Sequence, residues 1–174
     1  MTESEVFEAV TGSGSTDFAV LVSILNGHGA WCLIGGLAVN CYAEPVYTLD
    51  ADIVVVSAQL SAIRNDLIAH GFVVEEFQHS VNARMTGSDL RIQFSLDPRY
   101  QDFLKQTEVK EVLGQHVPIA SLEAIIQGKI WAWQDERRRP TKRKKDELDL
   151  MRLLEAHPET RILMPKQIRD QVPE

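Results

Sequence analysis

Cysteine is nearly missing from this chain: Cys32 and Cys41 are the only two among 174 residues. Two thiols cannot staple a disulfide scaffold. They lie on adjacent apolar stretches and read as reduced core residues, which fits a cytoplasmic location. Long hydrophobic runs are also missing. None approaches the roughly 20 residues that a membrane span requires, so no membrane partner is expected. The first ten residues, MTESEVFEAV, are acidic and lack the basic and apolar regions of a secretory signal. No internal repeat or low-complexity tract interrupts the chain, which excludes solenoid and fibrous architectures.

What remains is the composition of a folded domain, with 44% hydrophobic and 25% charged residues. A single domain over 1–174 is expected, long enough to bury roughly 70% of its unfolded surface. The net charge of −7 is uneven. Residues 137–145 read RRRPTKRKK, with seven basic residues in nine, so the rest of the chain carries −14. So acidic a remainder excludes a general nucleic-acid coat, while the basic strip allows one phosphate-rich contact.

Along the chain, residues 3–11 form a short helix and Ser15 or Thr16 caps a second, Asp17–Leu25, stopped by Asn26-Gly27. These N-terminal helices (1–28) precede a mixed-sheet core (29–119). Within the core, a helix over 57–70 stops at Gly71, and strands follow over 72–77, 81–85 and 89–96. The last alternates Leu90, Ile92, Phe94 and Leu96 with Arg91, Gln93 and Ser95, a half-buried pattern. A short helix over 99–105 leads to a hairpin, 108–113 and 116–119, turning at Gly114-Gln115. C-terminal helices fill 120–157: one over 122–138, capped by Ser121 and broken by Pro140, and one over 142–156. The tail, 158–174, has room for one more turn of helix and otherwise reads as loosely held.

The chemistry concentrates in WCLIGGLAVNCYAEPVYTLDADIVVV, Trp31 to Val56. An apolar strand stops at Gly35-Gly36, a short helix (Leu37–Ala43) follows, and Thr48-Leu49-Asp50-Ala51-Asp52 opens a second strand. Glycines after a strand let the backbone approach a ligand, with N–H groups at a helix start free to meet phosphate oxygens. Asp50 and Asp52 stand at i and i+2, so both carboxylates point to one face. Two carboxylates beside a phosphate cradle suit Mg²⁺ (or Mn²⁺) that keeps substrate phosphates as further ligands. Alone, the glycine pair is an ordinary turn and Asp-x-Asp a solvated strand edge. The order and spacing together give them meaning.

Two later features join them. Lys129 lies among Ile125, Ile126, Ile130 and Trp133, where a lysine either snorkels to water or offers its charge to a bound phosphate. Arg143-Lys144-Lys145-Asp146-Glu147-Leu148-Asp149-Leu150 reads either as a solvated helix start or as a basic phosphate contact.

Together these motifs resemble the nucleotidyltransferase fold, and in particular the AbiEii-type abortive-infection toxins and minimal nucleotidyltransferases. The likeness spans about residues 30–152. It rests on Gly35-Gly36, Asp50-x-Asp52, Lys129 and the Arg-x-Lys-Asp-x-x-Asp-Leu segment formed by Arg143, Lys145, Asp146, Asp149 and Leu150. It implies an α/β fold, a nucleotidyltransferase-like mixed sheet with flanking helices and a C-terminal helical extension. It implies a nucleoside triphosphate substrate held by Gly35, Gly36, Thr48, Lys129, Arg143, Lys145 and Asp146, with Asp50 and Asp52 as metal ligands and Asp50, Asp52 and Lys129 as catalytic residues. It also implies an RNA acceptor, such as tRNA, or a protein acceptor, and an antitoxin partner.

Two positions depart from the family. Relatives carry an arginine where Val46 stands, and a third carboxylate where Gln93 stands. An amide oxygen ligates a metal weakly and cannot take a proton from a hydroxyl. Asp89 and Asp97 share the parity of Gln93 but lie about 13 Å away along a regular strand. Either another carboxylate replaces it, or two suffice, or the protein is a nucleotide- or partner-binding module that has lost catalysis. A phosphotransferase on the same fold, moving a γ-phosphate, is a third reading.

Overall fold

The computed structural model describes residues 2–174. Thr2 caps α1 (Glu3–Thr11), its hydroxyl accepting from the backbone of Glu5 while Glu5 returns the bond. Helix α2 (Gly14–Asn26) starts earlier than the Ser15 or Thr16 cap predicted, because the Thr11 hydroxyl accepts from the Gly14 N–H. The core then alternates: β1 (Trp31–Ile34), α3 (Gly35–Val39), β2 (Asp50–Val55), α4 (Leu60–Ala69), β3 (Val73–Glu76), β4 (Ser80–Arg84) and β5 (Arg91–Ser95). A 3₁₀ helix, Pro98–Lys105, leads to the hairpin of β6 (Thr107–Val112) and β7 (Gln115–Ala120). Helix α3 takes in the two glycines themselves and ends at Val39, with only turns as far as residue 44, so it is shorter than the expected 37–43. The hairpin turns on Leu113-Gly114, one residue before the expected pair, and both have positive φ (48° and 80°) as a two-residue turn of this hand requires.

The seven strands form one mixed sheet in the order β3-β4-β5-β2-β1-β7-β6. At its centre β2 runs antiparallel to β1 and parallel to β5. One face of the sheet is buried through Ile53, Ile92, Phe94, Leu33 and Ile119, over which α2 and α4 pack. The other face carries Asp50, Asp52, Arg91, Gln93 and Asn82 in alternation. Near β1 that second face is covered by the 3₁₀ helix and α3; toward β3 it is open.

Two expectations fail in the C-terminal third. Helix α5 (Leu122–Gln134) stops four residues short of Arg138. The Asp135 carboxylate accepts from the Arg137 backbone N–H at 3.0 Å, an Asx turn that competes with the helical bond. Pro140 accordingly opens α6 (Pro140–Ala156) as its first residue rather than merely breaking a helix. The tail is not loose. It forms a 3₁₀ helix, Pro158–Leu163, and α7 (Lys166–Arg169), and it buries Met164, Ile168 and Val172. Ile168 lies within α7 and Met164 and Val172 flank it, and together they dock the segment on α6. Among the described residues no helix is long and apolar enough to cross a membrane. Cys32 is buried and Cys41 half-buried, both free thiols. Burial pushes the Cys32 thiol up to about 12, which leaves it inert at neutral pH.

Candidate active site

A cavity of about 220 Å³ opens where β1, β2 and β5 meet α3, α5 and α6. Its floor is the Asp-x-Asp strand. Asp52 pairs across the sheet with Ile34 on one side and Gln93 on the other. Gly35 follows Ile34 directly, at φ +73°. A Cβ built there would stand 2.1 Å from Asp52 Oδ2, so both the backbone angle and the close approach demand glycine. Gly36 has no such need, since its Cβ would meet the Thr48 side chain at an ordinary 3.5 Å. Helix α3 begins here, and the N–H groups of its first turn have no intrahelical acceptor. Thr48 is buried beside them, its hydroxyl accepting from the Asp50 N–H at 3.2 Å.

The two carboxylates share a face but not an environment. Asp50 is held by two cations: Arg91 Nε at 2.6 Å from Oδ1 and Lys142 Nζ at 3.3 Å from Oδ2. Asp52 has no ion pair among the described residues. Burial pushes its carboxyl up to about 6; Lys129 pulls it back, and the like charge of Asp50 adds to the rise. A desolvated carboxylate without a counter-ion, under a backbone that leaves room for nothing larger than Gly35, suits a hard cation. Together with Asp50 it makes a two-carboxylate oxygen donor set, to which Mg²⁺ is suited when substrate phosphates complete the shell. Among the described residues no group of three His, Cys, Asp or Glu side chains gathers at one point, so no third acid replaces the missing one. Gln93, exposed on the same face, stands beside Asp52 on the neighbouring strand.

Lys129 neither snorkels to water nor waits free for a phosphate. Its side chain is only 12% exposed, and Nζ lies 3.1 Å from Asp146 Oδ1 and 2.8 Å from Asp149 Oδ2. Burial alone would lower the ammonium's pKa, but Asp149 and Asp146 outweigh it, so the pKa is raised and the lysine stays charged. The network extends outward. Arg138 Nε donates to Asp146 Oδ2 at 2.6 Å, and Arg152 bridges Asp149, Asn40 and the carbonyl of Glu44. Asp146 and Asp149 thus fasten α5 to α6 and, through Arg152, hold the loop that follows α3. They line the cavity from behind Lys129, with Lys145 at its rim.

Arg143 is the one predicted nucleotide contact that does not line the cavity. Its Nε donates to the Trp133 carbonyl at 3.0 Å and closes the end of α5. Val46 does line it. Four functional side chains escaped the sequence reading: Arg91, Lys142, Arg138 and Arg152. Arg91 carried a signal, its parity with Gln93 on β5. Lys142 and Arg138 were inside the basic strip, but nothing in the strip told which cations turn inward. The opposite end of the cavity is apolar, built by Tyr100, Phe103 and Ile125 around Gly128. A Cβ on Gly128 would come within 3.1 Å of the Tyr100 ring, and the Tyr100 hydroxyl donates to the Gly128 carbonyl at 3.4 Å. Trp131 stacks on Phe103 with ring centres 5.7 Å apart and fixes the wall from outside.

The family model for the nucleotidyl transferase AbiEii toxin, type IV TA system, matches residues 22–172. No curated protein sequence gives a significant match. Among solved structures, ANT(2″)-Ia in complex with adenylyl-2″-tobramycin is similar at TM-score 0.60 and 16% identity, over 91% of this chain and 98% of that one. An antigenic nucleotidyltransferase-like protein from Paracoccidioides brasiliensis is similar at TM-score 0.55 and 19% identity, over 81% and 75%. The lincosamide antibiotic adenylyltransferase LnuA, bound to lincomycin, follows at TM-score 0.53 and 13% identity, over 78% and 94%. At such identities the likeness is one of fold, and the mixed α/β architecture is that of the nucleotidyltransferases.

Proposed function

The chain belongs to the AbiEii nucleotidyl transferase toxin family of type IV toxin–antitoxin systems, and from that premise we propose that it transfers a nucleotidyl group from a nucleoside triphosphate to a hydroxyl of an RNA acceptor, with Mg²⁺, as a toxin paired with a cognate antitoxin. The observation that carries the reading is the pair Asp50 and Asp52 on one strand face, with Gly35 pressed against Asp52.

Each residue then has a task. The first turn of α3 and Lys145 hold the triphosphate. Lys142, now on Asp50, lines the same cavity and is placed to turn onto the phosphate oxygens. Asp50 and Asp52 would hold Mg²⁺, which would supply neutralisation of the phosphoryl charge that builds up during transfer. Lys129 keeps a positive charge behind Asp52, anchored by Asp146 and Asp149 so that it does not drift. The apolar end at Tyr100 and Phe103 suits the flat face of a nucleobase. The acceptor oxygen bonds to the α-phosphorus, the bond to the β-phosphate breaks, pyrophosphate leaves with the electron pair, and the hydroxyl proton passes to solvent. An RNA acceptor is supported by the part of the cationic strip that stays exposed, Arg137, Arg139 and Lys144.

One observation favours a second reading. Gln93 stands where an acid would complete the site, which fits a module that binds nucleotide or a partner without turnover. Incubation with each triphosphate labelled at the α-phosphate, Mg²⁺ and total RNA separates them. Label on RNA, lost in Asp50→Ala plus Asp52→Ala, supports transfer. Triphosphate binding with no product supports the module, and transfer from γ-labelled nucleotide a phosphotransferase.

A further inference from the structure

A second cavity, about 240 Å³, lies on the open part of the same sheet face. It shares Asp50, Gln93 and Lys142 with the first, so the two meet at the carboxylate pair. Its remaining polar walls come from β3, β4 and β5. Register sets Glu75 opposite Asn82, Asn82 opposite Gln93, and Arg91 opposite Asp50, with Arg84 next along β4. Among the described residues no helix covers this surface, and Arg84, Arg91 and Gln93 are exposed.

Three features distinguish it from an ordinary open sheet. Arg84 has no carboxylate within salt-bridge distance among the described residues, and Arg91 and Lys142 reach into the groove from Asp50. Three cations against Glu75 and Asp50 make the groove locally positive on a protein of net charge −7. The third feature is Asn82. Its Oδ1 is buried and has no hydrogen-bond partner among the described residues, a rare condition for an amide oxygen. The residue as a whole is only half-buried, so a turn of its side chain brings this amide to a ligand in the groove.

We propose that this second cavity is the acceptor subsite, and that it takes a phosphate-bearing single-stranded oligonucleotide. Arg84, with Arg91, holds a backbone phosphate. Asn82 and Gln93 offer amides to base edges or ribose hydroxyls. The strand then enters along β4 and β5 and presents its hydroxyl at Asp50 and Asp52, opposite the triphosphate in the first cavity. Its oxygen forms the bond to the α-phosphorus while pyrophosphate departs on the other side. Gln93 thus becomes a contact to the acceptor rather than a failed metal ligand. This inference rests on the transfer reading above for its chemistry, but its binding claim is separable.

The experiment measures two affinities on the full chain: a fluorescent triphosphate with Mg²⁺, and a 5′-labelled single-stranded oligoribonucleotide by anisotropy across a salt series. Arg84→Ala should weaken the oligonucleotide by about tenfold and reduce the slope of log affinity against log salt by about one. Triphosphate affinity should stay within twofold. Asn82→Ala should weaken the oligonucleotide by about fivefold while melting no lower than wild type, because it removes an unsatisfied oxygen. Unchanged oligonucleotide affinity in both variants, or parallel loss of triphosphate affinity, overturns the assignment. Label transferred to a protein instead of RNA also overturns it, while leaving nucleotidyl transfer intact. Arg84-dependent oligonucleotide binding with no transfer upholds the groove and sinks the transfer reading instead.

Discussion

The sharpest test of the site is Asp52→Asn, read as stability rather than activity. Burial pushes the Asp52 carboxyl from 3.8 up to about 6 in the folded protein. The folded state therefore holds a proton more firmly than the unfolded chain between those two values. By linkage this group favours the fold most below about pH 4, and the contribution falls as pH rises through 4 to 6. Above pH 6 the ionised carboxylate costs on the order of 2–3 kcal/mol, since each tenfold displacement corresponds to about 1.4 kcal/mol. Asparagine has nearly the same shape and never ionises. Lys129 keeps Asp146 and Asp149 in the variant, so the substitution strands no cation. Asp52→Asn should thus be more stable than wild type by about 2 kcal/mol at pH 7.5 and equal to it near pH 4, with an unchanged urea m-value. Urea unfolding at pH 4, 5, 6 and 7.5 measures this directly. Mg²⁺ with triphosphate should raise wild-type stability and leave the variant unmoved. A variant less stable than wild type at pH 7.5, or a difference that ignores pH, would refute the picture of a desolvated carboxylate awaiting a cation.

Other substitutions test the surroundings. Lys129→Met removes the shared cation of two buried carboxylates and should cost about 2–4 kcal/mol in chemical denaturation; a loss under 1 kcal/mol would mean that Arg138 and Arg152 suffice. Gly35→Ala should abolish Mg²⁺–triphosphate binding by calorimetry, because a Cβ would overlap Asp52 Oδ2 at 2.1 Å; retained binding would show that the turn relaxes away from Asp52. Gln93→Asp puts a carboxylate beside Asp52, one strand spacing of about 4.8 Å away, and should tighten Mg²⁺ binding measurably; flat cation affinity together with no gain in transfer would argue against a latent three-acid site.

The sequence alone determined the parts of this protein that depend on local order. Strand β1, the glycine break and the Asp-x-Asp strand are adjacent in the chain, so periodicity and turn chemistry sufficed to place them. Period two put Asp50 and Asp52 on one face, and the C-terminal segment from Lys145 to Asp149 was visible as a motif. Its role was not. Whether Lys129 meets a phosphate, solvent or a carboxylate depends on the packing of α5 against α6, which no local pattern encodes. The same holds for Arg91 and Lys142, which reach Asp50 from residues 41 and 92 positions away. The tail departs from expectation because Met164, Ile168 and Val172 are too few and too widely spaced to signal burial until α6 supplies a surface. Local rules decide which backbone conformations are cheap; only the assembled sheet and helices decide which charges meet.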